Sequence, residues 1–145
     1  MDKFDLIGQL NRATLAKDWH FIYGNNFYIN YEASQKKYFP NDLVLTADFT
    51  SQPTIKNALV TEIRYNGIIM LGEKENDSGY KASLDETMQQ KYNRRLLRLM
   101  TLLTDFIGQF ACDNELDITV NNFRVDINRF DTNIDFVVME LTLIQ

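Results

Sequence analysis

The chain has 145 residues, of which 45% are hydrophobic and 24% charged, and its formal net charge at pH 7 is −5. This composition predicts one folded domain over residues 1–145 and argues against extensive disorder. The acidic balance excludes a sequence-wide basic footprint for nucleic acid, and no run approaches the roughly 18 apolar residues that a membrane span requires.

The first third of the chain is predicted to hold one helix and two strands. Residues 3–17 place apolar side chains near one face at helical spacing, which predicts a short amphipathic helix. Alternating apolar and polar residues predict strands over 27–32 and 43–50, with a turn at 40–42 between them. Pro53 is expected to end the second strand, because proline cannot donate to a sheet ladder.

Asn66-Gly67 lies between two β-rich runs, a pattern typical of a two-residue hairpin turn. In that register Ile63, Tyr65, Ile68 and Met70 would share one face of the sheet. The alternative is a single long strand with a bulge at Gly67. A polar loop is expected at 76–79.

The second half is predicted to be a long helix followed by strands. Ser83 and Glu86 form a capping box, and uninterrupted 3,4 apolar spacing from Met88 to Phe110 predicts an amphipathic helix roughly 40 Å long. The apolar phase flips at 121–122, which fits either a two-residue turn or a bulge.

The last strand, "DFVVMELTLIQ", is apolar on both faces in its first half, which predicts a central or doubly covered position. The order helix, strands, long helix, strands predicts an α+β fold, with the helices packed on a mostly antiparallel sheet.

No common catalytic, nucleotide-binding or metal-binding motif is present, so we expect no enzymatic activity, no cofactor and no metal site. His20 and Cys112 are the sole histidine and cysteine. An enzyme would require both to converge in a pocket with the acidic residues of 113–117. A single cysteine also indicates a reducing compartment such as the cytoplasm.

Two clusters are candidate interface residues. The first is an aromatic run that exceeds what one strand edge can bury, and the second is a cationic stripe on the long helix, away from its apolar face. The candidates are Trp19, Phe21, Tyr23, Lys91, Arg94, Arg95 and Arg98. The alternatives are core packing for the aromatics and a solvated helix face for the cations.

The element order, the small acidic chain and the closing strand resemble the tail-terminator and tail-completion proteins of tailed bacteriophages. The stretch "ALVTEIRYNGIIMLGEKEN", followed by a polar loop and the capped helix, is the segment most similar to that family. The aromatic region at 19–39 departs from the family pattern.

The resemblance implies a non-enzymatic virion protein of the head–tail connector, neck or tail. Such a subunit would form a ring of six or twelve copies and contact portal, adaptor or tail proteins. DNA would pass nearby without sequence-specific binding, which an acidic chain would suit. The competing hypothesis is a cytoplasmic protein-binding adaptor module of a multi-protein machine.

Overall fold

A computed structural model describes residues 4–25, 28–29, 32, 38–39, 41–74, 88–129 and 134–145. The helical elements are α1 (Leu6–Leu15), α2 (Met88–Lys91), a π-helical turn (Tyr92–Leu96) and α3 (Leu97–Asp113). The strands are β1 (His20–Tyr23), β2 (Leu43–Lys56), β3 (Leu59–Lys74), β4 (Asp117–Arg129) and β5 (Ile134–Ile144). They form one sheet in the order β1-β2-β3-β5-β4, in which only β1 and β2 are parallel. The predicted α+β fold is therefore confirmed.

The predicted N-terminal helix is present as α1. The Asp5 carboxylate accepts a hydrogen bond of 3.1 Å from the Gly8 amide, which caps the first turn. The buried face is formed by Leu6, Leu10 and Thr14, whereas Phe4 and Leu15 are exposed. The sequence spacing predicts a face formed by Phe4, Ile7, Leu10 and Leu15, which is correct for Leu10. It is wrong for Phe4 and Leu15, because Phe4 precedes the helix and Leu15 is its last residue.

The strand predicted at 27–32 is wrong at residues 28, 29 and 32, which are helical; residues 27, 30 and 31 lie outside the described residues. The Asn25 side chain accepts a hydrogen bond from the Tyr28 amide, and the Ile29 amide donates to the Asn25 carbonyl. Asn25 therefore starts a helical turn. The strand of this region is β1, where the Ile22 side chain is buried.

Strand β2 continues through Pro53 to Lys56, so the prediction that Pro53 ends the strand is wrong. Strand β1 pairs with β2 only from Val44 to Ala47. Beyond that point, β2 has no outer neighbour among the described strands. A proline at such an edge removes no ladder hydrogen bond.

The hairpin predicted at Asn66-Gly67 is also wrong. The alternative, a single long strand, is correct, but the strand has no bulge at Gly67. Gly67 stands directly opposite Phe49 in regular register, and the turn lies at Asn57-Ala58. Both turn residues have positive φ, 51° and 63°, as a type I′ hairpin requires. Within β3 the face predicted as shared is divided, because Ile63 and Tyr65 join one core cluster while Met70 joins another.

The long helix covers one face of the sheet. Its buried side chains include Leu96, Leu99, Leu103, Phe106, Ile107 and Phe110, as the apolar spacing predicted. The same 3,4 spacing places Tyr92 on this face, but Tyr92 is exposed, since the π turn interrupts the helical phase there. The capping box at 83–86 and the loop at 76–79 lie outside the described residues.

The last two strands follow the predicted pattern. Strand β4 is continuous, and its register shifts between Val120 and Asn122, so a bulge rather than a turn restores the apolar phase. Strand β5 lies between β3 and β4 and is buried on both faces. Val137 and Met139 pack toward the long helix, whereas Phe136 and Val138 pack on the opposite face with Ile29 and Tyr38 among their neighbours. The predicted central position of this strand is confirmed.

Candidate interaction surfaces

The predicted cationic stripe does not form one exposed surface. Arg95 is only 2% exposed, whereas Arg94 and Arg98 are exposed. Lys91 ends α2, one residue before the π turn. The expectation that all four cations lie away from the apolar face is therefore wrong for Arg95. Its position four residues before Leu99 places both on the same side of a helix, a signal that was present in the spacing.

Arg95 instead lies between two buried carboxylates. Its Nη1 donates to Asp135 Oδ2 at 3.0 Å, and its Nε lies 3.4 Å from Glu73 Oε1. Arg98 contributes a second guanidinium to Glu73. Two cations thus balance two anions where the helix begins to cross the sheet. Arg95 in this network joins the helix to the sheet, and it is not available to a partner.

The three aromatic candidates have different surroundings. The Trp19 ring packs on Phe106 with a centroid distance of 5.4 Å, and Phe21 packs against the same core cluster. Tyr23 is 47% exposed and lies with the exposed Phe4 at a shallow pocket of about 130 Å³. Trp19 and Phe21 are therefore largely used within the fold, as the core-packing alternative anticipated. Tyr23 remains open at the surface.

His20 contacts the segment that precedes β2. Its Nε2 lies 3.0 Å from Asp42 Oδ2, which also accepts a hydrogen bond of 2.9 Å from the Phe39 amide. The Tyr38 ring meets the imidazole edge-on at 4.8 Å. Burial raises the pKa of Tyr38 to about 12, and the nearby Glu32 and Asp42 carboxylates add to the rise. This arrangement ties β1 to the turn before β2.

Cys112 is exposed in the last turn of α3. Within the described residues, no hydrogen bond or ion pair joins it to His20. The acidic residues 113–117 do not alternate along a strand: Asp113 ends α3, Glu115 has a φ of 54° in the connecting turn, and Asp117 begins β4. In the described ranges, no group of three or more His, Cys, Asp or Glu side chains could hold a metal ion.

The sequence patterns did not predict two features, one formed by β2 and β3 and the other by α3 and β4. The first is a two-stranded projection at residues 54–62, here called the arm, which has no third strand on either side in the described structure. Its tip exposes Ile55 (64%) and Leu59 (67%). The run "TIKNALVTE", in which Asn57 can adopt positive φ and β-branched residues stand on both sides of it, was a usable signal for it.

The second missed feature is a groove of about 360 Å³ between the long helix and the edge strand β4. Its lining residues are Met100, Thr101, Thr104, Asp105 and Phe123. The groove forms where residues 100–105 of α3 approach Phe123 of β4, more than 15 positions later in the chain. Helical or strand periodicity describes single elements and therefore could not predict it.

No family model matches this sequence, and no curated protein matches it. Among the described helices, none combines the length and apolar character needed to cross a membrane.

Proposed function

We propose that this protein is a non-enzymatic structural subunit of a tailed-phage virion, acting in the head–tail connector, neck or tail. The observation that carries the proposal is the arm, which extends beyond the neighbouring strands with two large apolar side chains exposed at its tip. In this role copies of the chain form a ring around the DNA channel and contact portal, adaptor or tail proteins.

The low stability of an isolated two-stranded arm in water supports a role in subunit contacts. A two-stranded ribbon is marginally stable alone and gains stability when its side chains pack against a third surface. Large apolar side chains exposed on both faces of one projecting tip favour a contact role over that of a solvated loop. Ring subunits associate through two different surfaces of one chain, and the arm would supply one of them.

The acidic balance of the chain suits the same role. The net charge of −5 opposes tight binding to the phosphate backbone, so DNA could move past the subunits without adhering to them. The exposed Arg94 and Tyr23 remain candidates for contacts with neighbouring proteins, with Arg98 partly engaged by Glu73.

Native mass spectrometry of the full chain across a concentration series tests the proposal. We expect closed rings, of six or twelve copies if the family resemblance holds. Monomers at every concentration, together with no rings in electron micrographs, would contradict a self-assembling subunit. An Arg94→Glu variant then asks whether that cation contributes to subunit contacts.

A protein-binding adaptor is the second candidate, and the outer edge of β4 favours it. This strand of 13 residues is the last in the sheet order, so its outer backbone groups have no strand partner in the described part of the chain. An extended peptide could add there as a further strand. The test is hydrogen exchange of the β4 amides in a complex of one copy of this chain with a bound peptide. Slower exchange in that complex than in the free chain would favour the adaptor over the ring subunit.

A further inference from the structure

We propose that the arm of one copy docks into the groove between the long helix and β4 of a second copy. Leu59 would enter the groove, and the Lys56 ammonium would pair with the Asp105 carboxylate. This inference rests on the proposed function, since it names the two complementary surfaces that a head-to-tail subunit requires.

The arm presents an apolar and a cationic group side by side. Lys56 and Leu59 are directly opposed across the two strands of the arm, so their side chains share one face. Ile55 opposes Val60 and belongs to the other face. One face of the tip therefore carries the pair that a groove with apolar walls and one carboxylate would accept.

The groove has the complementary character. Met100 and Phe123 supply apolar walls, both only partly buried, and the exposed Asp105 supplies a negative charge. Its volume of about 360 Å³ is many times the roughly 10–15 Å³ that a site needs to hold one water, so whole side chains can enter it. Within the described residues, neither Lys56 nor Asp105 has an ion-pair partner.

The sheet register prevents the arm from reaching the groove of its own chain. Phe123 stands opposite Met139, which stands opposite Ile69 on β3. Leu59 lies ten positions before Ile69 on the same continuous strand, which is roughly 33 Å at about 3.3 Å per residue. Because arm and groove are different patches, their contact is heterologous, and its repetition gives a closed ring or an open filament.

Self-association of the full chain gives the first test. Leu59→Ser should weaken self-association by about tenfold or more in dissociation constant, as the loss of a central anchoring side chain does. Ile55→Ser is the matched control, since Ile55 is equally exposed at the same tip but on the opposite face. Equal effects of the two substitutions would overturn the proposed orientation of the arm.

Charge reversal gives a test that does not depend on apolar area. Lys56→Glu and Asp105→Lys should each weaken association, and the double variant should recover most of the loss. Lys17→Glu and Asp113→Lys, also exposed, serve as controls. If the wild type assembles and none of the arm or groove variants changes assembly, the arm–groove contact is overturned while the proposed ring function stands.

Disulfide capture tests the contact even where assembly is weak. Leu59→Cys and Thr104→Cys are made in separate chains that both carry Cys112→Ser, and the two are mixed under a copper–phenanthroline oxidant. The product to measure is the covalent heterodimer of the Leu59→Cys chain with the Thr104→Cys chain. Faster formation of this heterodimer than of the one between Ile55→Cys and Thr104→Cys would support the contact. Equal rates, or no dimer in either mixture, would overturn it whatever the oligomeric state of the wild type.

Discussion

Glu73 and Asp135 stand directly opposite each other on β3 and β5, and both carboxylates are buried. Two like charges in this arrangement would repel each other and disfavour the pairing of the strands. The guanidinium of Arg95 lies against both and reverses the effect. Arg95 therefore stabilises the end of the β3–β5 pair, although it lies 40 positions before Asp135 in the sequence.

Replacing Arg95 by Met should lower the free energy of unfolding by about 3–5 kcal/mol, because two buried carboxylates lose their shared cation. Arg94→Met, at the exposed neighbouring position, should change it by less than about 0.5 kcal/mol. Urea denaturation measures both values. Adding Asp135→Asn to Arg95→Met should recover part of the loss, since it removes one uncompensated charge. Equal losses in the two single variants would contradict a buried ion network.

Replacing Gly67 by Ala should destabilise the protein by about 1–3 kcal/mol. The added methyl carbon would lie 2.2 Å from the Asp48 carbonyl oxygen and 2.6 Å from the Phe49 ring, so β2 would have to move away from β3. Gly108→Ala on α3 is the matched control, because nothing lies within 4 Å of the new methyl. That variant should gain about 0.5–1 kcal/mol from higher helix propensity. Thermal unfolding that shows the same sign for both would contradict the close approach at Gly67.

Tyr38 should make stability depend on alkaline pH. Burial, with help from Glu32 and Asp42, raises its pKa from 10.0 to about 12, so the unfolded chain loses the phenolic proton first. Its contribution is fully present below pH 10 and is lost as pH rises toward 12, by at most about 2–3 kcal/mol.

Tyr38→Phe should remove that alkaline loss. The measurement is the free energy of unfolding of the wild type and of the variant, compared at several values between about pH 9 and about pH 12. At neutral pH the variant should be as stable as the wild type or more so, because the buried hydroxyl has no hydrogen-bond partner among the described residues. Tyr28→Phe, at an exposed position, controls for loss of a hydroxyl. Parallel pH profiles for wild type and Tyr38→Phe would contradict the raised pKa.

Ala58→Gly should stabilise the arm. Ala58 has a φ of 63°, a conformation that costs an L-residue with a side chain about 1 kcal/mol and costs glycine little. Hydrogen exchange of the arm amides should slow by about fivefold. Asn57→Gly is the control, since asparagine tolerates its φ of 51° better than alanine would. Faster exchange in Ala58→Gly would argue against the turn at Asn57-Ala58.

The turn also shows where local sequence signals mislead. Asn66-Gly67 is the stronger hairpin pattern, yet the chain turns at Asn57-Ala58 and continues straight through Gly67. Gly67 is explained by the Phe49 ring that lies over it, and that contact depends on a strand 18 positions away. A glycine required for close packing and a glycine required for a turn look the same in sequence.

The amino-acid pattern was enough to predict the α+β class, the apolar face of the long helix and the central position of β5, because side-chain period and apolarity on both faces are local properties. Four features could not be predicted and became visible in the folded chain: the strand order, the parallel pairing of β1 with β2, the burial of Arg95 and the meeting of α3 with β4 at the groove. Each of these depends on which distant segment supplies the hydrogen-bond partner, the counter-charge or the opposite wall. No local period in the chain encodes that choice.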